Sequence, residues 1–313
     1  MLATAILLGA LAVVLAWPVP ILLGRAAWPR RAPALALLLW QSIALAGGLS
    51  MIGALLALGL LPFGDTLIRG VHGLIGVVRD GTSLPASDSL YLLAVGAALL
   101  LGVHLVLNLV LTIVSTERQR RRHRQLVTLL GSPDPARPGT QLIDNAAPIA
   151  YCLPGARSIT VFSAGLIELL DPDELSAVIA HERAHVSQRH DLLLISFRAW
   201  HMSLPWFPIA YRAEQEVGAL VEMLADDEAR RTAQDATLAS AIALVAGASA
   251  GVEDALIDRP AMPVATAHQT RDRVRRLLEP RRTIAPAMRF GVGVIAVALI
   301  AVPTILLLLP VAG

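Results

Sequence analysis

The chain has no lysine, a single cysteine and few aromatic side chains. All 26 basic residues are arginine, so a serine–lysine centre of the S-x-x-K type is excluded on residue content. Cys152 stands alone, which rules out an intrachain disulfide and a thiolate zinc cluster. Charge is scarce too, at 16% of 313 residues, and aromatics make up 4% against 55% hydrophobic residues. That balance is not one of an ordinary soluble domain.

What replaces the missing charge is four uncharged stretches, about Leu2 to Leu23, Ala34 to Leu61, Leu90 to Val114 and Phe290 to Leu309. A bilayer core takes roughly 20 apolar residues, so each is long enough to span it. The first lacks a basic leader and a small-residue cleavage site, and reads as a retained span rather than a signal peptide. Arginines set the orientation. Arg25, Arg30 and Arg31 follow the first span, the run from Glu117 to Arg124 follows the third, and Arg281, Arg282 and Arg289 precede the fourth. The connection from Pro62 to Ser89 mixes both signs. We therefore expect a multi-pass protein of the bacterial inner membrane, both termini outside, with the segment from about Ser115 to Met288 in the cytoplasm. The basic excess is small and sits at membrane borders, which argues for anchoring in the lipid bilayer and against direct nucleic-acid binding.

Two further apolar segments read differently. Ala236 to Gly251 is alanine-rich and too short to span, as in a packed soluble helix. Leu192 to Tyr211 carries Arg198, His201, Pro205 and Pro208, and reads as a helix followed by a segment at the membrane surface.

The loop Gly131–Gly139 leads into a domain that starts near Thr140. Ile149–Leu153 and Ser158–Phe162 read as adjacent strands around Pro154-Gly155, and Ser163 as the cap of a short helix. Asp171, Pro172 and Glu174 then form a cap, a first-turn proline and a capping-box glutamate, predicting a helix to about His190.

That helix carries His181-Glu182-Arg183-Ala184-His185. Residues i and i+4 share a helix face, so both imidazoles aim at one point, and Glu182 stands beside it to take a proton from a bound water. Two histidines leave a catalytic zinc short of a third ligand. Glu222-Met223-Leu224-Ala225-Asp226 offers one on a second helix, with Glu222 on the metal and Asp226 on the far nitrogen of a ligand histidine. The bland alternative is a solvated acidic face, since Glu214, Glu216, Asp227 and Glu228 are close in sequence. The strand of Ser158, Ile159, Thr160, Val161 and Phe162 is a candidate for holding extended substrate at a sheet edge. His190, His201 and Tyr211 are candidates for the oxyanion donor.

Phe162 to Ile167, Asp173 to His185, Arg189-His190-Asp191 and Glu222 to Asp226 resemble the cytoplasmic protease domain of the BlaR/MecR antirepressor family. The resemblance is close over about Ser158 to Ala229, and that family's three spans, protease domain and fourth span repeat the order read above. It implies that His181, His185 and Glu222 bind Zn2+, that Glu182 is the general base, and that the substrate is a cytoplasmic winged-helix repressor or the chain itself. Sensors of this type continue into an extracellular penicillin-binding domain. This sequence ends at Gly313, so we expect that domain to be absent and the signal to come through the 62–88 loop, the spans or a separate sensor protein. The membrane-bound CAAX-prenyl and heat-shock metalloproteases share the histidine motif and a distant E-x-x-x-D, and a quality-control role is the alternative. A non-catalytic signalling scaffold with structural zinc is the rival from another class.

The fold expected is a multi-span α-helical membrane protein with a mainly α (α+β) gluzincin-type zinc metalloprotease domain containing a small β-sheet. Its parts are residues 1–114 with three spans, 115–139 an arginine-rich helix and linker, 140–288 the protease domain and 289–313 the fourth span. A homodimer is left open.

Overall fold

The computed structural model describes residues 1–82, 85–135, 137–155, 158–205, 208–249, 267–280 and 283–309. They fall into two compact units. The first comprises Met1–Asn108, Met202–Ala213 and Ile284–Gly313, the second Leu109–His201 and Glu214–Thr283.

The first unit is helical. Helices α1 (Leu2–Ala16) and α2 (Pro18–Arg25) follow one another with a break at Trp17, where Pro18 and Pro20 withdraw backbone donors. They precede α3 (Pro33–Gly59) and α4 (Leu67–Asp80), the latter capped by the Thr66 side chain and ended by left-handed Gly81. Helix α5 (Ser89–Leu130) begins here, and α12 (Pro286–Leu308) ends the chain's described helices. Among the described residues, four helical segments are long and apolar enough to cross a membrane: Leu2–Arg25, Pro33–Gly59, Ser89–Leu130 and Pro286–Leu308. Helix α3 packs against both α1 and α12. A Cβ placed on Gly53 would stand 2.9 Å from Leu307 and 3.1 Å from Leu8, so all three helices meet at that glycine.

No break separates Val114 from Ser115. The apolar stretch and the arginine-rich stretch form one helix of 42 residues, roughly 63 Å long at the usual rise. Arg281 and Arg282, read above as an orientation signal, lie outside the described residues, as do Ala250, Gly251 and the segment up to Thr266.

The second unit holds a four-stranded sheet in the order β1-β2-β4-β3. Its strands are β1 (Ser132–Pro133), β2 (Thr140–Ile143), β3 (Ala150–Leu153) and β4 (Ile159–Ser163). Strand β4 pairs parallel with β2 and antiparallel with β3, with Ala150 opposite Phe162 and Leu153 opposite Ile159. The expectation that residues 158–162 bind substrate at a sheet edge is thereby corrected. Strand β4 is internal, its backbone bonded on both sides, and the edge belongs to β3.

Ser163 caps α6 (Ala164–Leu169), accepting from the Leu166 amide. Asp171 and Glu174 form the expected capping box of α7 (Pro172–Ser187), and Ser240 donates to the same Glu174 carboxylate at 2.6 Å. Helix α7 stops three residues before the expected end. Arg189 adopts a left-handed φ of 50° and α8 (His190–Ser203) starts in a new direction. Then come α9 (Pro208–Ala229), α10 (Asp235–Ser249) and α11 (Ala267–Leu278).

Phe162, Leu166, Leu170, Leu175 and Ala241 bury one side of α7 against β4, α6 and α10. Ala177, Ala229, Leu238 and Leu277 bury another against α9, α10 and α11. The alanine-rich α10 is thus a packed helix over its described length, as expected. On the far side of the sheet Val127 of α5 packs on Leu153 and Val161.

Candidate metal centre

Burial of α7 leaves its histidine face turned toward α9. Ala177 and Ala184 sit in the core, so His181, four residues from the first and three from the second, is drawn inward with 7% exposure. On α9, Val217, Val221 and Ala225 are fully buried, and Glu222 and Asp226 are carried in beside them.

The three expected ligands meet. His181 Nε2 and His185 Nε2 are 3.2 Å apart, and Glu222 places Oε2 3.4 Å from the first and Oε1 3.5 Å from the second. Donors of a tetrahedral zinc, each roughly 2.0–2.2 Å from the ion, stand about 3.3–3.5 Å from one another. The donor set fits that ion in type, and one donor atom from each of the three residues lies within 4.8 Å of the others. Asp226 takes the position expected of it, with Oδ1 2.9 Å from His181 Nδ1. The approach is an ionic contact without a hydrogen bond of good angle, because the carboxylate is aligned on a different partner.

That partner is Arg273 of α11, which sequence reasoning missed. Its Nε and Nη2 donate to the two Asp226 oxygens at 2.8 and 2.7 Å, while Nη1 lies 2.8 Å from Glu222 Oε2. Four arginines crowd α11, and Arg273 is the most deeply buried of them. The signal was spacing: Arg273 is four residues before Leu277, on the buried face of the helix.

Charge explains the balance. Burial would raise the carboxyls of Glu222 and Asp226, but Arg273 and His181 outweigh it and hold both well below the usual carboxylate range. Burial would lower His181, yet contacts with Asp226 and Glu222 push it up to about 10. Burial dominates at His185, pushed down to about 3 with help from the charges of His181, His190 and Arg273. Glu182, Glu222 and Asp226 face the Arg273 guanidinium and a protonated His181, so the metal-free cluster is short of one positive charge, and of two once His181 gives up its proton. A divalent cation supplies that number.

His190 joins the cluster in a role other than the one expected. It is 1% exposed, its Nδ1 lies 3.1 Å from His185 Nδ1, and its Nε2 lies 2.9 Å from Gln188 Oε1. Gln188 in turn donates from Nε2 to Glu228 at 3.1 Å. A carboxylate only accepts, so Glu228 fixes the Gln188 amide, which fixes His190 as a donor at Nε2 and an acceptor at Nδ1. His185 therefore donates from Nδ1 and keeps its Nε2 lone pair for the metal. This arrangement occupies both nitrogens of His190, which corrects its reading as an oxyanion donor. His201 is paired with Glu214 at 2.6 Å, and neither it nor Tyr211 lines the cavity.

The cavity over the centre measures about 800 Å3. His181, Glu182, His185 and Glu222 lie on its wall, as does the edge strand from Ala150 to Leu153. Strand β3 is held from behind by α5, where His123 Nε2 meets the Tyr151 hydroxyl at 2.7 Å and Arg124 donates to the Pro154 carbonyl. None of Ser158, Ile159, Thr160, Val161 and Phe162 lines the cavity.

No curated protein and no solved structure matches the chain. Residues 115–253, which include both ligand-bearing helices, match the model of peptidase family M48, and together with the His-His-Glu group they support a metallopeptidase.

Proposed function

We propose that the chain is a membrane-anchored zinc endopeptidase that works on the cytoplasmic side and cleaves a transcriptional repressor, or its own chain, in response to a signal. The observation that carries the catalytic part is the convergence of His181, His185 and Glu222 within 4.8 Å of one another, with Glu182 beside them on the wall of a cavity that an edge strand borders. Zinc held there would supply a Lewis acid and a water acidic enough to be deprotonated near neutral pH. Glu182 is the residue placed to accept a proton from a water at the centre and to hand it to the leaving amine. Strand β3 presents the edge of the sheet to an extended peptide, and Arg273 keeps the Glu222 and Asp226 carboxylates ionised and oriented. The inside placement rests on the arginine bias of the connections, and the repressor on the family resemblance and the order of spans.

Comparing the proteomes of cells carrying the wild type and Glu182→Gln tests the reading. The expected result is one DNA-binding regulator that is fragmented with the wild type and intact with the variant. Accumulation of misassembled membrane proteins in the variant would favour quality control. Identical proteomes would sink proteolysis altogether.

A further inference from the structure

The cavity extends beyond the metal centre along α8, where Asp191, Leu194, Ile195 and Arg198 line it. Their spacing of three, four and seven residues is one helix face. Of the arginines along this wall, Arg120 is occupied by Asp191 at 2.8 Å and Arg273 by Asp226 and Glu222. Arg198 is half-buried and has no hydrogen-bond or ion-pair partner among the described residues. A guanidinium beside Leu194 and Ile195, partly withdrawn from water, gains most from a planar anion that accepts two parallel hydrogen bonds.

We propose that Arg198 is a specificity-determining residue that binds an acidic side chain of the peptide substrate, about four residues from the scissile bond. The inference rests on the peptidase reading above. The distance follows from the helix: eight residues separate His190, which touches the ligand His185, from Arg198, or roughly 12 Å at the usual rise. An extended peptide advances about 3.3 Å per residue, so roughly four residues bridge that gap. Asp191 does not compete, because Arg120 neutralises it at the metal end of the same face. Arg271 lies on the cavity rim but is exposed, where water and salt screen it.

The test uses the full-length, zinc-loaded protein in nanodiscs and a peptide series in which one Asp, Ala or Arg is walked along a neutral sequence. Cleavage is read as kcat/KM, and affinity is read by fluorescence anisotropy on Glu182→Gln, which does not depend on turnover. We expect about a tenfold preference for Asp over Ala at one position near the fourth from the cut, carried by KM. Arg198→Ala should abolish the ratio and Arg198→Glu should invert it toward Arg. Wild-type cleavage without a charge preference, or a preference that survives Arg198→Glu, overturns the subsite. So does an Arg198→Glu effect seen only as a changed response to anionic lipid in the disc, which would make Arg198 a headgroup contact. If the preference appears in binding but no peptide is cut, the subsite stands and the peptidase reading falls.

Discussion

His190 braces His185 through a 3.1 Å contact between their Nδ1 atoms, across a left-handed backbone turn at Arg189. Five residues along one straight helix would put the two imidazoles about 140° apart around the axis. The turn at Arg189 brings His190 back onto the face of the His-His-Glu group, where it sets the tautomer of His185.

Removal of that brace should weaken the metal without removing a ligand. Outer partners of ligand histidines are worth roughly 10- to 100-fold in metal affinity. We expect His190→Ala to lose zinc to a competing chelator at a correspondingly lower chelator concentration while the helical circular dichroism stays unchanged. An unaltered zinc affinity would refute the relay.

Arg273 carries a larger burden, since both acids depend on it. Breaking a buried ion pair from one side costs about 3–5 kcal/mol. Arg273→Leu should therefore lower stability by that order in denaturant unfolding of the apoprotein, and Arg273→Leu with Asp226→Asn should recover part of the loss. Equal stabilities of single and double variants would show that the contact with Asp226 is incidental.

Zinc uptake should release a proton. Without metal, Asp226 and Glu222 keep His181 protonated up to about pH 10, whereas a ligand imidazole binds as the neutral ring. Its folded value lies above the ordinary histidine value. The ion pair therefore stabilises the apoprotein fully below about pH 6.5 and ceases to do so as pH rises through about 10. Metal affinity has the opposite trend and should strengthen by up to about tenfold per pH unit between 7 and 9. Calorimetry in buffers of different ionisation enthalpy reads the proton directly, and a proton count of zero at pH 7.5 would contradict the picture.

The first unit has its own test at Gly53. A larger side chain there meets Leu8 and Leu307 at once, and close helix approach in a membrane depends on such small residues. Gly53→Leu should lower the detergent melting temperature by several degrees, consistent with overpacking costs of about 1–3 kcal/mol. Gly76→Ala, which meets nothing within 4 Å, is the control.

Much of this was legible in the chain because the signals are local. The capping box at Asp171, the i and i+4 histidines, the second pair at Glu222 and Asp226 and the four apolar runs all depend on neighbours in sequence. What was not legible depended on partners brought from afar. Arg273 lies 51 residues after Glu222 in sequence, and its role exists only once α11 packs on α9. The edge was assigned to Ser158–Phe162 because a period of two marks a strand but not its neighbours, and β2 at Thr140–Ile143 had not been read as a strand. The turn at Arg189 carries no glycine or asparagine to announce it. The break at Trp17 interrupts a stretch read as one span, although Pro18 and Pro20 stand just after it.

Cys152 sits on β3, on the wall of the cavity, and burial pushes its thiol up. It is the sole thiol of a chain that also lacks every lysine amine. Soft electrophiles thus have one side chain of that kind to find, beside the cavity, and its raised thiol calls for strongly alkaline pH. A spin label or fluorophore attached there without any mutation would report when a peptide enters, and a covalent inhibitor could be anchored at the same atom.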